Sequence, residues 1–245
     1  AIYGGDGNDT FSNLTANDKV FMGDGDDYIY RGGTNYIDAG AGDDVVRLSA
    51  GGAFEFLDGG TGTDTLEYVY VGGSGSTSAG DVIVNFENIK FSTTTSGSYK
   101  FNLGSQAGSA GESITVEVIQ TSGMTAHGID FTSATDANII FTGSNGDDNG
   151  NNGDDTVVLG SGDDNVTLRL GDDTIDGGDG NDIINAGGDD DIVTGGAGDD
   201  TIDGGTGIDT AIFSGNKSNY SITETGYSQY QLVDNQVNDG KDSLS

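Results

Sequence analysis

Aspartate recurs every nine residues between Gly150 and Ile212, always at the sixth position of a repeat. The seven aspartates are Asp155, Asp164, Asp173, Asp182, Asp191, Asp200 and Asp209. Two positions later stand Val157, Val166, Ile175, Ile184, Val193, Ile202 and Ala211. A unit this short cannot bury its one apolar side chain alone, so its neighbours must stack on it. The repeat therefore predicts a solenoid.

Glycines fill most of the remaining loop positions, most completely in the copies at 177–184 and 195–202. Glycine allows positive φ in a tight turn and lets backbone carbonyls approach a ligand closely. One carboxylate per loop then adds to these carbonyls, which makes a site built from oxygen alone. Such a site suits Ca²⁺, which takes roughly six to eight oxygens at about 2.3–2.6 Å. We therefore expect Ca²⁺ between stacked loops.

The pattern Gly-Gly-x-Gly-x-Asp-x-U-x, where U is a large apolar residue, resembles the calcium-binding repeats of the RTX (repeats-in-toxin) family. The resemblance implies a parallel β-roll with two nonapeptides per turn, so that loops eighteen residues apart stack on one side. One side would carry Asp155, Asp173, Asp191 and Asp209, and the other Asp164, Asp182 and Asp200. It also implies that carbonyls of the first four loop positions are ligands.

A second repeat tract stands near the N-terminus. Good copies begin at Gly4, Met22, Ala39 and Gly59, with Asp9, Asp27, Asp44 and Asp64 at the sixth position. The gaps between them place Asp18, Asn35 and Glu55 at that position, with Val20, Ile37 and Leu57 as apolar partners. The loop at 13–18 lacks every glycine. We therefore expect ions on only one side of this tract.

The predicted ligands share these loop positions. In the N-terminal tract they are Gly4, Gly5, Gly7, Asp9, Gly23, Gly25, Asp27, Gly40, Gly42, Asp44, Gly59, Gly60, Gly62 and Asp64. In the C-terminal tract they are Gly153, Asp155, Gly160, Gly162, Asp164, Gly171, Asp173, Gly177, Gly178, Asp179, Gly180, Asp182, Gly187, Gly188, Asp191, Gly195, Gly196, Ala197, Gly198, Asp200, Gly204, Gly205, Gly207 and Asp209. We expect about eight ions, roughly one in each gap between stacked loops.

The chain as a whole is predicted to be all-β: two RTX tracts of a parallel β-roll or β-helix solenoid, joined by a strand-rich insert and followed by a C-terminal β cap. The expected divisions are 1–67, 68–141, 142–213 and 214–245. Alternating apolar and polar residues, enriched in β-branched types, predict strands in the insert, as a calcium-free β-helix or a small sandwich, around a Gly/Ser-rich loop at 72–80. We expect the cap to be cut short at Ser245.

Charge and composition narrow the possible partners. The net charge is −33, which argues against nucleic acid and anionic membranes as partners. Cysteine is absent, so calcium would take over the cross-linking role of disulfides. No apolar run approaches the length of a membrane span, which argues against direct membrane insertion. His127 is the only histidine, and neither His-Glu-x-x-His nor Gly-x-Ser-x-Gly occurs. These features predict a protein that is not an enzyme.

Two functions remain open. The first is a structural module of a secreted bacterial surface protein, such as an S-layer, filament or adhesin, because the tracts look most like those of type I-secreted surface proteins. Its partners would be calcium ions and either further copies of itself or a cell-surface component. The alternative is the C-terminal folding and secretion module of a larger enzyme or toxin. Both place the chain outside the cell or on its surface.

Overall fold

A computed structural model describes residues 1–14, 18–32, 36–49, 56–70, 75–76, 82–93, 98–102, 113–120, 126–130, 138–142, 154–214, 220–226, 229–234 and 241–245. These residues form 25 strands in three sheets. Among them no helix is long and apolar enough to cross a membrane. The predicted all-β solenoid is confirmed.

One sheet, the long sheet, runs from the N-terminal tract to the C-terminal cap. Its strands in spatial order are β2 (Thr10–Leu14), β4 (Tyr28–Gly32), β6 (Val45–Ser49), β8 (Thr65–Tyr70), β11 (Asn88–Thr93), β13 (Ser113–Gln120), β15 (Asn138–Thr142), β17 (Asn165–Thr167), β19 (Ile183–Asn185), β21 (Thr201–Asp203), β25 (Lys241–Leu244), β24 (Gln229–Asp234) and β23 (Tyr220–Gly226).

Two shorter sheets contribute the strands that alternate with those of the long sheet along the chain. The N-terminal sheet contains β1 (Ile2–Asp6), β3 (Lys19–Asp24), β5 (Tyr36–Ala41), β7 (Phe56–Asp58) and β10 (Val82–Val84). The C-terminal sheet contains β22 (Thr210–Ile212), β20 (Ile192–Ala197), β18 (Thr174–Asp179), β16 (Asp154–Val158), β14 (Ala126–Asp130), β12 (Ser98–Asn102) and β9 (Gly75–Ser76). The strand β9 lies inside the stretch predicted as a loop, where backbone pairing with β12 overrides the Gly/Ser-rich composition.

The core is a set of columns, each with one apolar side chain per turn. The column of the long sheet contains Phe11, Ile29, Val46, Leu66, Ile89, Val116, Phe141, Val166, Ile184, Ile202 and Leu244, each paired in register with the next. Only the two end members are partly exposed; the others are at most 3% exposed. Burying such a side chain stabilises the fold by about 1.5–3 kcal/mol. Stacking therefore buries the apolar side chain that a single repeat cannot bury alone.

Matching columns line the opposite face. In the N-terminal sheet, Ile2, Val20, Ile37, Leu57 and Ile83 are paired in register. In the C-terminal sheet the column contains Val157, Ile175, Val193 and Ala211. The inward residues Val20, Ile37 and Leu57, predicted for the gaps between the good copies of the N-terminal tract, therefore form a continuous column.

The insert continues the solenoid instead of forming a sandwich. Its strands β11, β13 and β15 run parallel between β8 and β17, so the long sheet passes without a break from one tract to the other. The division into four segments stays a prediction, and the long sheet has strands in all four segments. The pairs β23–β24 and β24–β25 are antiparallel. The strand β25 pairs in parallel with β21, so the edge of the last repeat is covered by the cap.

The continuity of the long sheet predicts the effect of a charge in the insert. Val116 is fully buried in the central column, whereas Thr115 beside it is exposed. A Val116→Asp substitution would bury an unpaired charge, which costs several kcal/mol. We expect calcium-saturated wild-type protein to melt in one transition by calorimetry and the variant to melt in two. Thr115→Asp is the control and should melt like the wild type. One unchanged transition in Val116→Asp would contradict the continuous column.

Candidate metal centre

The sixth-position aspartates form three stacks at the loops. The first stack, Asp9, Asp27, Asp44 and Asp64, stands in loops that lead into the long sheet. The second stack, Asp164, Asp182 and Asp200, also stands before long-sheet strands, beyond the insert. The third stack belongs to the C-terminal sheet: Asp155 is the second residue of β16, and Asp173, Asp191 and Asp209 stand directly before β18, β20 and β22. The two-sided arrangement predicted for the C-terminal tract is thus the arrangement observed.

Within each stack, one carboxylate oxygen is used by the backbone of the preceding turn. The Asp155 N–H donates to Asp173 Oδ1 at 2.7 Å, and the Asp164 N–H donates to Asp182 Oδ1 at 2.9 Å. The same bond joins the successive pairs 9–27, 27–44, 44–64, 173–191, 182–200 and 191–209, at 2.7–3.1 Å. These bonds hold the carboxylates in line along the axis of the solenoid.

The second oxygen of most of these carboxylates has no hydrogen-bond partner. It is the Oδ2 atom of Asp9, Asp27, Asp44, Asp64, Asp164, Asp173, Asp182 and Asp191, and each of these atoms is buried. Asp64, Asp173 and Asp182 are at most 1% exposed as whole residues. A buried acceptor left without a partner costs about 1–3 kcal/mol, and more when it is charged. This regular row of unsatisfied oxygens indicates a cation between the turns.

The loop glycines bring backbone carbonyls to the same place. Positive φ angles occur at Gly5, Gly7, Gly23, Gly25, Gly40, Gly42, Gly60, Gly62, Gly171, Gly178, Gly180, Gly187, Gly196, Gly198, Gly205 and Gly207. A Cβ at Gly178 would overlap the Gly160 carbonyl oxygen of the previous turn, and one at Gly180 would overlap that of Gly162. Only glycine fits such close backbone contact. Asp189 stands at the loop position that is glycine in the other repeats of the C-terminal tract, and it also has a positive φ, 79°.

The remaining predicted ligands lie in the same loops. The Cα atoms of Gly4, Gly59, Gly177, Gly195 and Gly204 face the Oδ2 atom of the aspartate in their own loop. Asp179 and Ala197 pair with each other at the ends of β18 and β20, and Gly188 bridges to Thr206. Gly153, Asn35 and Glu55 lie outside the described residues. The ligand role of each residue stays a prediction.

Burial makes the stacked carboxyls weak acids. It raises the pKa of Asp173 and Asp182 to about 8 and that of Asp64 and Asp164 to about 7. The hydrogen bond from the preceding turn lowers these pKa values, and neighbouring carboxylates raise them further. A bound cation would offset both the burial and the repulsion. A cation in these sites would therefore favour the charged form of these four carboxyls.

The available ligands select the kind of metal. Among the described residues no three His, Cys, Asp or Glu side chains converge on one point. A site between two turns therefore has about two carboxylates, and carbonyl oxygens must complete it. Such hard, neutral and anionic oxygen ligands fit Ca²⁺, which accepts backbone carbonyls in an irregular shell.

Comparison with known protein families agrees with this geometry. A family model described as the RTX calcium-binding nonapeptide repeat (4 copies) matches residues 149–184 and 176–211. The chain contains RTX repeats. The match contains the second and third stacks, and the first stack repeats their loop geometry outside the matched residues. No curated protein matches the chain. RTX repeats bind calcium, so the chain carries a calcium-binding module.

Two acidic residues outside the predicted ligand set extend the stacks. Glu87 Oε2 accepts the Asp64 N–H at 2.7 Å, and Asp242 Oδ1 accepts the Asp200 N–H at 3.1 Å. Both stand two positions before an inward apolar residue, Ile89 or Leu244, as the RTX aspartates do. That two-residue spacing is the sequence signal that could have identified Glu87 and Asp242. It was hidden because no loop glycines precede Glu87, and because 42 residues separate Asp242 from Asp200.

The fifth-position residues form a separate, exposed ladder. Asp154 Oδ1 accepts the Asp172 N–H at 3.1 Å, and Asp172 Oδ1 accepts the Asp190 N–H at 3.0 Å. Asp26 and Asp43 take part in the same kind of bond in the N-terminal tract. These exposed acids therefore fasten one turn to the next.

The raised pKa values predict how the metal-free protein responds to pH. A carboxyl whose pKa is raised from 3.8 stabilises the fold when protonated, and that contribution is lost as pH rises through about 6–8. Metal-stripped protein should therefore show more β-structure by circular dichroism at pH 5.5 than at pH 8. Replacing Asp173 and Asp182 together by Asn should weaken this response. A β-signal that falls on acidification would contradict the assignment.

A calcium loop of the C-terminal tract and the glycine-free loop of the N-terminal tract predict unequal effects of two substitutions. Asp182→Ala removes a carboxylate shared by two gaps and the acceptor of the Asp164 N–H. Asp18→Ala changes a half-exposed residue after a loop without glycine. The Ca²⁺ midpoint of folding should rise clearly for Asp182→Ala and stay near wild type for Asp18→Ala. Equal shifts measured by calcium titration would refute a one-sided N-terminal tract.

Proposed function

We propose that this chain is a non-catalytic structural module of a secreted bacterial surface protein, folded by extracellular calcium. An S-layer, an extracellular filament or an adhesin is the kind of protein it would belong to. RTX repeats are typical of secreted bacterial proteins, which supports a place outside the cell. The stacked loops would hold about eight Ca²⁺ ions, one in each gap between turns.

The continuous long sheet is the observation that carries this proposal. Its inward column has a member in every turn from Phe11 to Leu244, and calcium loops flank it near both ends. Parallel strands lie about 4.8 Å apart, so a column of this length spans roughly 50 Å. A regular rod with metal cross-links near both ends is suited to bearing load or setting a distance.

Electrostatics explain why folding would wait for calcium. Two carboxylates 4 Å apart repel by about 4 kcal/mol at an effective dielectric near 20. The chain has 41 acidic and 8 basic residues, so few internal cations can offset this repulsion. The free energy of metal binding then becomes free energy of folding. Where Ca²⁺ is scarce, as inside a cell, the chain would stay extended; it would fold on reaching a calcium-rich exterior.

The alternative is a folding and secretion module attached to a larger enzyme or toxin. The C-terminal RTX repeats and the antiparallel cap after them suit this role equally well. A second calcium tract before the insert favours the structural reading, because a trailing module needs only one. Self-association separates the two functions, since a surface lattice or filament requires contacts between copies.

Calcium titration with parallel measurement of folding and assembly tests the proposal. Circular dichroism should show β-structure appearing cooperatively at millimolar Ca²⁺. Mg²⁺ is the control and should substitute poorly, because it requires near-octahedral oxygens at about 2.0–2.1 Å. Sedimentation and electron microscopy should then show sheets or fibres. A protein that folds with calcium but remains a monomer would favour the alternative, and full folding at pH 8 without any metal would contradict both.

A further inference from the structure

The first stack of aspartates does not end at Asp64. In each earlier pair the backbone N–H of one aspartate donates to the carboxylate of the next turn, at 2.7–2.8 Å. The Asp64 N–H makes the corresponding bond with Glu87 Oε2, at 2.7 Å. Asn88 pairs with Thr65, so Glu87 stands in register with Asp64. Glu87 therefore occupies the place of a sixth-position aspartate in a loop that is not an RTX repeat.

Asp64 carries an unsatisfied oxygen at this junction. The residue is 0% exposed, and its Oδ1 accepts the Asp44 N–H at 2.8 Å. Its Oδ2 is buried and has no hydrogen-bond partner. That atom faces the Cα of Gly59, where a Cβ would lie 2.9 Å from it. A cation between the loop of Asp64 and the loop of Glu87 would satisfy this buried oxygen.

The loop before Glu87 brings a carbonyl to the same point. A Cβ at Gly59 would overlap the carbonyl oxygen of Asn85, so this oxygen faces the same Cα as Asp64 Oδ2. Asn85 has a φ of 56°, in the left-handed region that the RTX glycines use elsewhere. Its side chain is fixed, because Nδ2 donates to Asp58 Oδ1 at 2.7 Å. Asparagine tolerates this conformation better than other non-glycine residues.

The stack stops one turn later. Thr115 pairs with Asn88, so the residue in register with Glu87 is Ile114, which is apolar and buried. The Thr115 N–H donates to the Glu87 carbonyl at 2.8 Å, which continues the sheet without an acidic side chain. The gap between Asp64 and Glu87 is therefore the last of this stack with a carboxylate on both sides.

Building on the calcium function proposed above, we propose that Asp64, Glu87 and the Asn85 carbonyl hold a further Ca²⁺ at the junction between the N-terminal tract and the insert. Two carboxylates and a carbonyl give hard oxygen ligands from two successive turns, as Ca²⁺ requires. The longer side chain of Glu87 supplies the carboxylate after a loop shorter than an RTX loop. An ion there would fasten the turn of Glu87 to the calcium-bound turns before it.

The test counts calcium ions in full-length protein carrying Glu87→Gln. Glutamine keeps an oxygen that can accept the Asp64 N–H but removes the charge. Calcium bound after equilibrium dialysis, measured by atomic emission, should fall by one ion per chain. The amides of Asn88 and Thr115 should exchange hydrogen faster. Glu67→Gln is the control, because Glu67 lies on the outside of the long sheet, 3.7 Å from Arg47, and should leave the ion count unchanged.

Each outcome has a separate meaning. An unchanged ion count in Glu87→Gln, with calcium-dependent folding of the wild type intact, overturns the junction site and leaves Glu87 as an amide acceptor. If the variant is unfolded where the wild type is saturated, raising Ca²⁺ should restore it, since weaker binding is compensated by concentration. Loss of folding at every Ca²⁺ concentration also overturns the site. A wild type that binds no calcium refutes the calcium function itself.

Discussion

Stacked, buried carboxylates are the constraint on which the rest of this structure depends. Where two turns stack, Oδ1 of one aspartate accepts the backbone N–H of the preceding turn, and in most of these aspartates Oδ2 is buried inside the loop without a hydrogen-bond partner. The hydrogen bond at the first oxygen sets the register of the turns. The second oxygen has no partner in the absence of a cation, and this destabilises the stack. The apolar columns cannot remove this cost, because their side chains point into the core and the carboxylates stand at its edge. The stability of the fold therefore depends directly on its affinity for metal.

Much of the molecule follows from the nine-residue period. The spacing of Asp173, Asp182 and Asp191 predicts both the stacking order and the two sides of the C-terminal roll, because the nine-residue period does not vary there. The ladder through Val20, Ile37 and Leu57 is predictable even where loops degrade, since the inward position must stay apolar in every turn. These features depend on local spacing, which a sequence displays directly.

Features that depend on distant register were not predictable. The alternation in the insert suits a sandwich as well as a β-helix, and only the pairing of β8 with β11 and of β15 with β17 selects the solenoid. Asp242 joins the second stack because β25 pairs with β21 after a long excursion through the cap. Glu87 joins the first stack after a loop with no glycine. In each case the intervening length varies, so no fixed period marks the partner.

The turns in the middle of the long sheet that lack an acid at the stacked loop position have a mechanical consequence. In a solenoid the hydrogen bonds between strands point along the axis, so every interface between turns carries the same tension when the ends are pulled. Interfaces that metal ions cross would be reinforced in that direction, whereas no stacked carboxylates join the described residues of β11, β13 and β15. Under load this middle segment would extend first and protect the turns on either side. The insert then serves as an extensible link between two stiffer ends.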